Sequence, residues 1–173
     1  AELFVERSLT NAISTLSNQV QSVESGIDFG IGVRLVFGSK VLYGYTNKTE
    51  AEELKRIMGE LAAMDLRDPR VLMQAFDYSE PVEHHPAHRI LSTDADVDSK
   101  VAYLLAADAA ARVSSNLISQ TRGACRQKEQ RIEIFNSEGL HTTDARNYVR
   151  ATLTAIASDG QDQATGMWSD GGL

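Results

Sequence analysis

The chain has a single cysteine, Cys125, among 173 residues, so no disulfide can form within it. That usage fits a reducing compartment, and a cytoplasmic location is the expectation. Cations are also in short supply: 17 basic residues against 24 acidic ones leave a net charge of −7. Domains that track nucleic acid carry the opposite sign, so direct DNA binding is disfavoured. No apolar run approaches the roughly 20 residues of a membrane span, and no secretory leader is recognisable. The opening "AELFVERS" lacks an initiator methionine and reads as a strand already under way, so the natural start is expected upstream. What is present is ordinary: 42% hydrophobic and 24% charged residues, in a chain long enough to bury a sizeable core without staples.

Residues 1–46 read as short strands. A polar turn is expected at Ser17-Asn18-Gln19, and "FGIGVRLVF", "GSK" and "VLYGYT" read as a hairpin. At Thr49 the period changes. Thr49 is placed to cap a helix, with Glu52 completing a capping box. Leu54, Ile57, Met58, Leu61 and Ala62 then form one apolar stripe, and the helix should fade near Asp65, ahead of Asp68-Pro69. Residues 67–96 hold all three prolines, show no period and read as a connector. A second helix should start near Asp96 or Asp98, with Val101, Leu104, Leu105 and Val113 on one side. Strands return after Asn116, with turns at "SEG" and "DGQD". Both halves contain Val-Arg followed by a turn and a late glycine (Val33-Arg34 with Gly44, Val149-Arg150 with Gly166), which suggests an internal duplication. The class is α+β, mostly antiparallel strands with two packed helices, in the order strands–helix–linker–helix–strands. A lobe 1–66, the connector 67–96 and a lobe 97–173 are expected.

Four stretches invite a chemical reading. "VEHHPAHR" crowds His84, His85 and His88 together, and imidazole suits zinc. Pro86 disfavours the helix that would make the 84/88 spacing useful, and Glu83 is the one carboxylate at hand, so a solvated linker is the preferred reading. "DADVD" at 94–98 alternates acids as a calcium loop does, but Ser99 and Leu105 stand where glycine and glutamate are required; an acidic helix start fits better. "GIGVRL" lacks the third glycine of a dinucleotide fingerprint, and Gly30 and Gly32 more simply mark a bulge or a close approach in a strand. "TRGACRQKEQR" groups Arg122, Arg126, Lys128 and Arg131, offset only by Glu129. Such a cluster can meet an acidic partner or peptide, but a solvated strand-turn face is the preferred reading. Cys125 lies among these cations, which lower a thiol pKa, but no histidine adjoins it as a base, and a partly buried structural thiol is the simpler reading. Trp168 and Tyr148 lie on strands near turns, where core or interface packing is expected. No catalytic constellation emerges from the residues alone.

The order of segments and several strings resemble a known family. "AELFVERS…VESGIDFGIGVRLVFGSKVLYGYTN" before a helix, then "VDSKVAYLLAADAAAR", "IEIFNSEGLHTTDARNYVRATLTAIASDG" and "TGMWSDGG", resemble the N-terminal domain of the TldD/PmbA proteins. These are metallopeptidases also labelled modulators of DNA gyrase. The resemblance rests most on Gly32-Val33-Arg34, Gly44, Thr46-Asn47, Asn136 to Gly139, Arg146 and Arg150, and "GIDFGIGVR" is closer to the TldD side. It implies a homodimer or a TldD–TldE-type heterodimer, cleavage of unfolded or modified peptides, and zinc on a His-Glu-x-x-x-His helix of the full-length protein. No His-Glu pair occurs in these 173 residues. The catalytic part is therefore expected beyond this chain, which carries over no catalytic, metal or cofactor-binding residue. Neither nucleic acid nor membrane is an expected partner.

Overall fold

The computed structural model describes residues 1–65, 82–83 and 95–172. In chain order they form β1 (Glu2–Leu16), β2 (Gln19–Phe37), β3 (Lys40–Thr46), α1 (Ala51–Ala63), β4 (Val82–Glu83), α2 (Val97–Ser114), β5 (Ile118–Asn136), β6 (His141–Ser158) and β7 (Gln163–Gly172). The sheet order is β3-β2-β1-β5-β6-β4, and β7 also pairs with β6. The α+β class with mostly antiparallel pairing is what the sequence pattern leads one to expect. The connector holds one surprise: the backbone of Val82–Glu83 joins the sheet, parallel to Thr142–Thr143. His84, His85, His88 and Asp94 lie outside the described residues.

The turns sit where the turn chemistry placed them. Ser17 (φ 47°) and Asn18 (φ 66°) form a two-residue left-handed turn between β1 and β2. Neither is glycine, so the turn relies on outside support: the Asn18 backbone N–H donates to Asp108 Oδ2 of α2 at 3.1 Å. Between β2 and β3, Phe37 pairs with Lys40, leaving Gly38 (φ 64°) and Ser39 as the loop. Between β6 and β7, Asp159 Oδ1 accepts the N–H groups of Gln161 and Asp162 at 2.9 and 2.8 Å, an Asx-type turn.

Strand lengths differ from expectation. Several short strands were anticipated over 1–46, but β1 and β2 run 15 and 19 residues without a break. The described residues cluster into two compact units that interleave along the chain: 1–8, 28–65, 82–83 and 130–145 in the first, 9–27, 95–129 and 146–172 in the second. The long strands pass from one unit to the other, so the covering of their faces changes partway. In β2, residues 19–28 are almost wholly exposed, whereas Ile31, Val33 and Leu35 alternate into a core. That switch breaks the period and mimics a strand end.

In the first unit, Ile57, Met58 and Leu61 of α1 pack on Leu3, Ile31, Val33 and Leu35, with Leu54 and Ala62 at the margin. The predicted stripe is thus the buried face. Gly44 makes the packing close: a Cβ there would lie 2.6 Å from Ile57 Cγ2. The proposed duplication does not extend to register. Val33 faces Gly44 directly, but Val149 faces Gly172 and Gly166 faces Ala155.

In the second unit, Ile13, Leu104 and Cys125 form a small core flanked by Val101 and Val149. Val113, expected on the same side as Leu104, is 89% exposed. The inward face of α2 instead passes through Lys100, Leu104 and Asp108, spaced four apart, all buried. Two of these three are charged, so hydropathy alone does not reveal the face.

The caps differ as well. Asp96 caps α2, its Oδ1 accepting from the Ser99 N–H at 2.7 Å. The Thr49–Glu52 capping box does not form. The N-cap of α1 is Glu50, without a side-chain cap bond. Thr46 supplies local order instead, its Oγ1 accepting from the Lys48 N–H at 3.1 Å. Asp96→Ala should therefore lower stability by about 1 kcal/mol and Thr49→Ala by a few tenths at most. Urea unfolding of the two variants checks this, and equal losses would contradict the cap assignment.

Candidate functional site

Strand alternation sorts the basic stretch. In β5, Thr121, Gly123, Cys125, Gln127 and Glu129 are buried, while Arg122 and Arg126 are exposed and Lys128 is half-buried on the opposite face. Arg131 is exposed but has the other parity and belongs to the first unit. The four residues therefore do not form one cluster. Arg126 and Lys128 line an open groove of about 870 Å³ in the second unit. Arg122 shares their strand face but lies outside that lining.

Tyr148, Val149 and Arg150 of β6 also line the groove, with Ser169 and Asp170 of β7. Arg150 Nε donates to Ser169 Oγ at 2.9 Å, which orients the guanidinium beside the β7 edge. Three cations face one carboxylate, a local excess of positive charge in a chain of net charge −7. The basic stretch alone could not reveal Arg150. The available signal was the exposed alternation of Tyr148 and Arg150, and it becomes informative only once β6 is known to lie beside β5. Tyr148 is thus a groove residue rather than a core one, and Trp168 is 47% exposed on β7.

The remaining candidates have structural roles. Cys125 is buried, and burial raises its thiol pKa, with the Lys100 charge acting weakly in the other direction. Arg122, Arg126 and Lys128 lie on the opposite strand face from Cys125. His141 Nε2 lies 2.5 Å from Glu133 Oε1, and its ring stacks on Phe135 with centroids 4.2 Å apart. Asp96 is held below the usual carboxylate range by its hydrogen bonds from Ser99, as a helix start requires. Gly30 and Gly32 mark close approaches: a Cβ would run into the Tyr45 ring at the first and the Tyr43 hydroxyl at the second. Among the described residues no three His, Cys, Asp or Glu side chains come together to hold a metal ion, so these residues do not fit a zinc site. No helix among them is long and apolar enough to cross a membrane.

The arrangement is a mostly antiparallel sheet with an open groove in the second unit. Two family models match it: "PmbA/TldA metallopeptidase domain 1" over residues 1–64 and "PmbA/TldA metallopeptidase central domain" over residues 90–173. The chain belongs to the TldD/PmbA family. No individually curated protein matches it. Solved structures share its fold. A proposed modulator of a DNA gyrase from Thermotoga maritima is similar at TM-score 0.71 and 14% identity, over 98% of this chain and 39% of that one. A proposed modulator of DNA gyrase from Bacteroides thetaiotaomicron is similar at 0.71 and 12%, over 98% and 40%. TldE from Thermococcus kodakarensis is similar at 0.68 and 15%, over 98% and 39%. At such identities the likeness is one of fold alone, and the chain spans about two fifths of the length of each structure.

Proposed function

We propose that this chain is the non-catalytic portion of a TldD-like zinc metallopeptidase, shaping substrate access and subunit contacts while the zinc chemistry resides in another part of the protein. The observation that carries the reading is the match to two successive domains of one metallopeptidase family, in a sequence with no His-Glu pair. The subunit contact would be with a second copy or a TldE-type partner, and the substrate an unfolded or modified peptide. The groove of Arg126, Lys128 and Arg150 is where an acidic stretch of such a peptide or partner would lie.

The purified chain should leave an unfolded protein substrate intact, with or without added zinc. Cleavage that EDTA stops would overturn the reading. The reading frame beyond Leu173 should encode a His-Glu-x-x-x-His helix.

A second reading, a stand-alone binding module without chemistry, is favoured by the groove itself, which needs no catalytic part to bind. A stop codon directly after Leu173 would select it over the first.

A further inference from the structure

The first unit has a second hollow, on the sheet face turned away from α1. Ile31, Val33 and Leu35 of β2 point into the core, so Gly30, Gly32 and Arg34 lie on the opposite face by strand alternation. Tyr43 and Tyr45 of β3 lie over the two glycines, whose missing side chains let the rings settle against the backbone. Both tyrosines stay well exposed, at 63% and 60%. The Tyr45 hydroxyl donates to the Phe29 carbonyl at 3.4 Å, which ties that ring to β2.

Phe4 adds a third aromatic wall, and Glu6 and Asp28 supply two carboxylates to a hollow of about 200 Å³. Glu6 is fixed in place, its Oε1 accepting from Gln130 Nε2 at 2.7 Å. Ser8, only 5% exposed, also lines the hollow. No lysine or arginine among the described residues lines the hollow. The cation on the same face of β2, Arg34, is engaged by Glu2.

We propose that this hollow binds the cationic side chain of an arginine or lysine in a bound polypeptide. Aromatic faces attract a cation through their quadrupole, and the two carboxylates complement its charge. The Ser8 hydroxyl in the lining adds an acceptor for an N–H group. The volume suits one side-chain head rather than a whole peptide. The inference does not rest on the metallopeptidase reading and holds equally for a binding module.

The test is titration of the chain with acetyl-Gly-Arg-Gly-amide, followed by amide shifts, beside the same peptide carrying citrulline. Citrulline keeps the shape and removes the charge. The arginine peptide should bind roughly tenfold more tightly than the citrulline peptide, with shifts centred on Gly30, Gly32, Tyr43 and Tyr45. Glu6→Gln combined with Asp28→Asn should bring arginine binding down to the citrulline level. Tyr43→Ser, at an exposed position, should do the same by removing a wall. Equal affinity for the two peptides, shifts centred on β5 and β6 of the second unit, or no shift at about 10 mM peptide would each overturn the proposal.

Discussion

Asp108→Ala should cost about 3 kcal/mol. Asp108 is wholly buried and binds three groups: the Thr121 hydroxyl, Arg112 Nε at 2.8 Å and the Asn18 N–H at 3.1 Å. Removing the carboxylate leaves the half-buried Arg112 and the left-handed turn at Ser17-Asn18 without their shared acceptor. Asp108→Asn keeps the shape and loses the charge, so its cost should be smaller, about 1–2 kcal/mol. Urea unfolding at neutral pH measures both.

The pH dependence follows from the same contacts. Burial by itself pushes the Asp108 pKa up, but the hydrogen bonds from Thr121, Arg112 and Asn18 together with the Arg112 charge outweigh it and hold the pKa below its ordinary 3.8. A carboxylate depressed on folding contributes stability that is fully present above its unfolded pKa and is lost as pH falls through the folded value. The parent chain should therefore lose this contribution below about pH 4, and Asp108→Asn should lack that component of the acid loss. Parallel acid limbs for the two proteins would contradict the assignment.

Leu104→Ala should lower stability by about 3 kcal/mol, because Leu104 is 1% exposed and packs in a core with Ile13 and Cys125. Val113→Ala, on the same helix, should stay within about 0.5 kcal/mol. The pair tests which face of α2 is buried. A reversed order of losses would mean that the helix is rotated about its axis, with Val113 turned inward and Leu104 outward.

Features carried by neighbouring residues were legible in the sequence. The turns at Ser17-Asn18, Gly38-Ser39 and Asp159 to Asp162 follow from residues that accept or stabilise turn geometry within a few positions. The α1 stripe from Leu54 to Ala62 is visible because apolar residues occupy every inward position. Asp96 could be recognised as a cap because its partner, Ser99, is three residues away. The Thr49 cap failed under the same reasoning: Glu50 occupies the cap position, and Thr46 forms the local hydrogen bonds.

The candidate site was only half legible. Arg126 and Lys128 belong to a visibly basic stretch, but Arg122 lies outside the groove lining and Arg131 belongs to the other unit. Arg150 enters from β6, and nothing in the basic stretch points to it. Likewise, nothing local to "GIGVRL" shows that two tyrosines from β3 will rest on its glycines beside Glu6 and Asp28.

By itself the sequence determined the α+β class, the turns, the stripe of α1 and the start of α2, because each depends on contacts within a few residues. Tertiary structure alone decided the length of β1 and β2, the interleaving of the two units, the charged inward face of α2 and the membership of both hollows. The physical reason is that a strand residue's burial depends on which distant strand or helix covers its face. That covering changes along β2, and the residues facing either hollow meet only when strands far apart in the chain pair side by side.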